Sequence, residues 1–162
     1  MAVRPTLQEE LRQRRPFAHA EEEAWISIVR TADHLQRGIA ELLKRHELTI
    51  TQYNVLRILR GAGAAGHPCR EVGERMITRE PDVTRLLDRM QDRGWVRRER
   101  SEADRRVVIA TITPDGLEIV RRLDEPIAEL TRQQLTHLGD EQLHRLLDTL
   151  TAIRFPNGDG KA

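Results

Sequence analysis

Two short runs of strand-forming residues interrupt a chain otherwise patterned for helices, and their position constrains the fold more than any other feature. They are WVRRER at 95–100 and VVIATI at 107–112, separated by the polar residues SEADRR. VVIATI is β-branched apart from Ala110, a composition suited to a pleated surface. Together the runs read as a hairpin with a charged tip. A charge run is usually no more than solvated surface, so the meaning of this one depends on what precedes it.

Upstream, LTITQYNVLRILRGAGAAG predicts a helix from about Thr51 to Arg60, with Thr51 as N-cap and the following glycines as its end. CREVGERMI predicts a helix of about two turns. After a break at TREP, PDVTRLLDRMQDRG predicts a third helix, with Pro81 in its first turn and Gly94 as C-cap. Its inner stripe is Val83, Leu86, Leu87 and Met90. Its outer face is Asp82, Arg85, Asp88, Arg89 and Asp92, with Thr84 near the edge.

The flanks are helical too. Thr6 stands three residues before Glu9, a capping-box spacing, so a short helix is expected from about Thr6 to Arg14, stopped by Pro16. A long helix is expected from about Ala20 to His46, with Glu21, Glu22 and Glu23 in the first turn, where the helix dipole favours acids. Trp25, Ile28, Val29, Ala32, Leu35, Ile39, Leu42 and Leu43 give it a single stripe, expected to be buried. After the second strand, Thr113 and Pro114 open a helix whose stripe is Leu117, Val120, Leu123, Ile127 and Leu130. A last helix from about Asp140 to Arg154 is expected to bury Leu143, Leu146, Leu147, Leu150 and Ile153.

The 162 residues suit one domain with helical extensions, and aromatics are only 3%, so Leu, Ile, Val and Ala must build the core. With 33% charged residues, a chain of this size calls for a partner subunit to bury its apolar surface. The net charge of +1 does not by itself announce a nucleic-acid partner. Residues 1–69 and 70–106 carry about +2 each and residues 113–162 about −3. A single cysteine, Cys69, excludes an internal disulfide. No apolar run approaches a membrane span and the N-terminus lacks the apolar centre of a secretory signal, so no membrane partner and a cytoplasmic location are expected.

Helix, short helix, turn, helix and hairpin is the order of a winged helix-turn-helix, in which the second helix of the pair lies in the DNA major groove. The outer face that includes Asp82 would then meet base edges. Arg85 is placed for a bidentate pair with guanine, Thr84 for a base or a thymine methyl, and Arg79 and Arg89 for phosphates. A hairpin tip beside such a helix reaches the adjacent minor groove, whose negative potential suits Arg105 and Arg106. Asp104, two residues before Arg106, is expected to hold its guanidinium in one orientation.

In order and spacing, residues from about 20 to 155 resemble the multiple antibiotic resistance regulator (MarR) family. LTITQYNVLRILRGAG, EVGERMITREPDVTRLLDRMQDRGWVRRER and EADRRVVIATITPDG carry the likeness. The most specific piece is D-x-R, an apolar strand, then T-x-x-G: here Asp104, Arg106, Thr113 and Gly116. The resemblance implies a mainly α fold with a small β-hairpin wing. N-terminal (1–47) and C-terminal (114–155) dimerisation helices would flank a DNA-binding lobe (48–113), with a flexible tail at 156–162. It implies a homodimer on a near-palindromic operator and, as the usual job, repression relieved by a small phenolic or amphipathic ligand. By the same match Arg106 is the wing arginine, Asp104 its orienting acid, and Thr84 and Arg85 face bases. Peroxide-sensing members carry a cysteine near the start of the first long helix, where this chain has Ala24, Trp25 and Ile26.

Other readings compete. A winged-helix module that binds protein is favoured by the low net charge and by Asp82, Asp88 and Asp92. A thiol sensor would use Cys69, which precedes a helix start where a thiolate is stabilised, although a small half-buried residue at a turn explains it as well. Trp25 and Tyr53, with Phe17, are either core or the lining of an effector pocket with His34 as polar contact. No nucleophile elbow, phosphate loop, HExxH or acid–base set points to an enzyme. Glu141 and His144 make one E-x-x-H step where a bridged metal site needs two, so neither metal nor cofactor is expected.

Overall fold

Three of the helices begin at a threonine. In the computed structural model, which describes residues 5–158, Thr6 caps α1 (Leu7–Glu10), and its N–H donates to the Glu9 carboxylate at 2.7 Å. Thr49 does the same for α3 (Ile50–Ala62) with Gln52 as its reciprocal partner. The cap expected at Thr51 is therefore two residues too late: three positions beyond Thr51 stands Asn54, which cannot complete the box, whereas Thr49 has Gln52. Thr113 caps α6 (Pro114–Leu135), with Pro114 in the first turn. Helix α1 is shorter than expected because Arg12 adopts a left-handed conformation at φ 53°.

The long helix α2 runs Ala20–Lys44, and α4 covers Cys69–Glu74. Helix α5 (Val83–Asp92) starts two residues after Pro81, because Asp82 is its N-cap: the carboxylate accepts the Arg85 N–H at 2.9 Å. The strands are β1 (His67–Pro68), β2 (Val96–Arg100) and β3 (Val108–Ile112), and α7 (Gly139–Arg154) closes the chain. The expected hairpin is the β2–β3 pair, in the register Val96↔Ile112, Arg98↔Ala110 and Arg100↔Val108. It is widened by β1 into an antiparallel sheet of order β1-β3-β2. Gly66 makes the third strand possible: at φ +63°, a Cβ there would stand 2.3 Å from the Ala110 carbonyl oxygen.

Every buried apolar side chain among the described residues lies between Leu43 and Ile127. Leu56 and Leu59 of α3, Leu87 and Met90 of α5, Ala110 of β3 and Leu123 of α6 meet in one cluster with the end of α2. Burial of such a side chain contributes about 1.5–3 kcal/mol. Arg60 and Asp124, at 2.5 Å, tie α3 to α6 over this core.

The terminal stripes behave differently from expectation. Of α2 only Leu43 is buried, and of α7 nothing is. Trp25 is 66% exposed, Leu147 55% and Ile153 57%. Helical spacing gathers these residues onto faces, but within one chain nothing lies over them. Of the tail at 156–162, residues 159–162 lie outside the described residues, as do residues 1–4.

Candidate nucleic-acid interface

Helix α5 divides as its sequence pattern requires. Leu86, Leu87 and Met90 are buried, while Thr84, Arg85 and Arg89 face solvent. Asp82 is committed to the cap, and its second oxygen sits 3.8 Å from Arg85 Nε, which leaves that guanidinium loosely held. Asp88 forms an ion pair with Arg98 of β2, and Arg98 Nε donates to Gln91 Oε1 at 3.1 Å. One acid of the helix surface is thus neutralised by the wing, and the wing is strapped to the helix.

The turn before α5 has its own brace. Asn54, the one buried polar side chain among the described residues, accepts the Ile77 N–H at 2.8 Å. Arg79 follows in the same turn and is exposed.

At the wing tip, Ser101 Oγ accepts the N–H groups of Ala103 and Asp104 at 3.3 and 3.4 Å. The Ser101 N–H donates to the Val107 carbonyl, and the Val107 N–H to the Asp104 carbonyl, both at 2.9 Å. The Asp104 carboxylate accepts the backbone N–H of Arg106 at 2.9 Å. The expected clasp of Asp104 on the Arg106 guanidinium is therefore replaced by a clasp on the backbone. An aspartate in a turn reaches the N–H two residues on more readily than it holds a solvated, flexible side chain. The tip is fixed and both arginine heads remain free. Among the described residues no acid pairs with Arg79, Arg89, Arg100, Arg105 or Arg106, whereas Arg70, Arg75, Arg93 and Arg98 of the same lobe are all paired.

Thr113 and Gly116 form the seam behind this surface. Thr113 Oγ1 donates to the Gly94 carbonyl at 2.7 Å, lies 3.0 Å from the Trp95 carbonyl, and accepts the Gly116 N–H at 3.1 Å. A Cβ on Gly116 would stand 2.3 Å from the Trp95 carbonyl oxygen. The T-x-x-G spacing thus joins the end of α5, the start of β2 and the start of α6 at one point.

Asn54, Arg98, Arg93 and Ser101 were not among the residues singled out by sequence. Ser101, three before Asp104 in a polar run, carried a turn signal; the other three act across gaps that no local pattern marks. The expected effector lining does not assemble within one chain. Tyr53 is buried in the lobe core, which pushes its phenol pKa up. Trp25 is exposed on α2. His34 lines an open hollow of about 420 Å³ with Ser27, Arg30, Thr31 and Arg37, and neither aromatic is in its wall. Half-burial raises the Cys69 thiol above its ordinary value and outweighs the pull of Arg98, so the thiolate needed for sensing is disfavoured. The start of α4 does not reverse this. Among the described residues no three His, Cys, Asp or Glu side chains converge; His144 Nδ1 donates to the Asp140 carbonyl at 2.7 Å. No helix among them is long and apolar enough to cross a membrane.

A family model described as "MarR family" matches residues 48–108. The crystal structure of a MarR transcription factor from Planctomyces limnophilus is 35% identical, covering 84% of this chain and 98% of that one at a TM-score of 0.64. The HTH-type transcriptional regulator PecS of Dickeya dadantii is 30% identical over 110 residues, which span 67% of this chain and 66% of PecS, just under two thirds of its length. The homoprotocatechuate degradative operon repressor of Escherichia coli is 28% identical over 131 residues, 79% of this chain and 87% of the repressor.

Proposed function

This chain belongs to the MarR family, and on that footing we propose that it is a homodimeric, sequence-specific DNA-binding transcriptional regulator that represses until a small molecule releases it. Residues 1–47 and 114–155 form the dimerisation arms and residues 48–113 the DNA-binding lobe. Helix α5 enters the major groove, with Arg85 and Thr84 toward base edges, Asp82 holding the helix start, and Arg79 and Arg89 on phosphates. The wing, braced by Asp104, carries Arg105 and Arg106 to the neighbouring minor groove. Two such lobes address half-sites of a near-palindromic operator about 34 Å, one helical turn, apart. The chain acts in the cytoplasm and is a binder, not an enzyme.

The observation that carries this reading is the braced wing tip with free arginines beside an α5 face that also presents arginine. Pairing of Asp88 with Arg98 removes one of the acids that favoured a protein-binding module. The word "repressor" in the name of the E. coli relative supports the sign of regulation. The effector is a small amphipathic or phenolic compound held in the hollow at His34 of α2, with Trp25 outside that hollow and Tyr53 left in the core. It acts by binding better to a dimer whose readers are misspaced.

A salt titration against duplex DNA tests the reading. Log affinity should fall linearly with log salt, with a slope of about −0.9 per phosphate contact. Salt-independent or absent binding refutes it.

A further inference from the structure

The long helix α2 ends inside the lobe, where Leu43 is buried, and the chain turns through Glu47 into α3. The turn is tight: the His46 and Leu48 N–H groups both donate to the Leu43 carbonyl, at 2.9 and 3.1 Å, and Glu47 adopts φ 55°, left-handed for a residue with a Cβ. Onto this turn comes Arg93, the residue that caps the C-terminal end of α5. Its Nη1 donates to the Glu47 carbonyl at 2.7 Å, its Nη2 to the Glu47 carboxylate at 3.2 Å, and its guanidinium stacks 3.9 Å from the centroid of the Trp95 ring. Trp95 is itself buried, and its carbonyl receives the Thr113 N–H at 3.1 Å. One side chain, on the cap of the reader helix, therefore touches both the turn by which the chain leaves the arm helix and the seam to the wing.

We propose that Arg93 is a positioning residue that fixes the angle between α2 and α5, so that the spacing of the arms in the dimer becomes the spacing of the readers on DNA. The inference rests on the DNA-binding reading above. A plane that stacks and donates along two directions cannot swivel as an ammonium can, so the restraint is one of orientation. Helix α5 has 10 residues, about 15 Å at the usual rise of 1.5 Å per residue. A tilt of about 10° at the Arg93 end moves the Thr84–Arg85 end by about 2.5 Å, well beyond the ~0.5 Å that a hydrogen-bonding constellation tolerates. The Glu47 carboxylate is well exposed and adds little; the carbonyl bond and the stack carry the restraint.

The test uses the full chain and an operator duplex selected from genomic fragments by the wild-type protein. Companion duplexes have the centre lengthened or shortened by one base pair, and a third has a single half-site. Wild type should lose about tenfold or more on either altered spacer. Arg93→Met should bind the single half-site as wild type does, bind the parent operator about tenfold more weakly, and lose less than about threefold between spacers. Arg93→Lys should resemble Arg93→Met, and Glu47→Gln should resemble wild type, because the carbonyl is kept. Melting curves accompany each variant, and Arg93→Lys decides if Arg93→Met is unfolded at the assay temperature. Undiminished spacer discrimination in the folded arginine variants overturns the proposal. A wild-type protein that selects no duplex refutes the underlying DNA-binding reading instead.

Discussion

The lobe and the outer parts of the arms, α7 and the first half of α2, are built from the same residue types at the same spacing, and they end in opposite states. Leu56 and Leu87 are fully buried, while Leu147 and Trp25, on equally regular stripes, are more than half exposed. In the lobe, three helices and a sheet converge on one point, so every stripe finds a cover within the chain. Farther out a stripe runs out of cover: α2 meets α6 at Leu35 and Gly38, and its stripe residues before Leu35 stay exposed. Periodicity identifies a face; topology decides whether the chain itself can cover it. Contiguous apolar faces of this kind are sites of association.

The largest expected effect separates the two regions. Leu87→Ala should lower lobe stability by about 2–5 kcal/mol, read as a lower midpoint of denaturant unfolding. In a Trp25→Phe background, Leu147→Asp should leave the fluorescence of buried Trp95 unchanged yet separate the subunits at concentrations where the parent stays paired. If Leu147→Asp unfolded the lobe as well, the contrast between the regions would fail. Next, Gly116→Ala should cost about 1–3 kcal/mol, because its Cβ collides with backbone rather than with a movable side chain.

Smaller effects on stability, but large ones on binding, are expected at the lobe's outer surface. Arg85→Ala should cost about 1–3 kcal/mol of operator affinity and relax selectivity at one base position. Arg106→Ala should weaken binding evenly across sequences and reduce the magnitude of the salt slope by about one. Both should unfold within about 0.5 kcal/mol of wild type. The least effect is expected at Cys69. Its folded pKa lies above the ordinary value of 9.0, so the unfolded thiol ionises first as pH rises. The contribution of the neutral thiol is complete below about pH 9 and is lost as pH climbs through the folded value. Alkylation by iodoacetamide should accordingly stay slow at neutral pH, and Cys69→Ser should bind DNA in peroxide as wild type does. Fast peroxide-dependent loss of binding in wild type alone would restore the thiol-sensor reading.

How much of this was legible in advance follows from the range of the interactions. Helix α5 and strand β3 could be read because their signals are local: a four-residue inner stripe, Gly94 after the last turn, and an unbroken β-branched run. The likeness of D-x-R and T-x-x-G to the family marked the wing correctly, but not the work of Asp104, since the choice between a backbone and a side-chain partner is made by the turn. Strand β1 was missed because two residues, one of them proline, carry no strand pattern. Asn54 braces a backbone group 23 positions away, and Arg93 one 46 positions away, separations at which sequence spacing says nothing. By sequence Tyr53 fits core and pocket equally well; the structure buries it among the core residues.

The central claim is that two copies join through the arms to aim two readers at one duplex. Sedimentation equilibrium of the full chain, alone and with its selected operator, tests it most directly. The account predicts a particle of twice the 18.7 kDa chain mass at micromolar concentration, and one such pair per operator. A single 18.7 kDa chain at every concentration, binding the operator as a monomer, would contradict it.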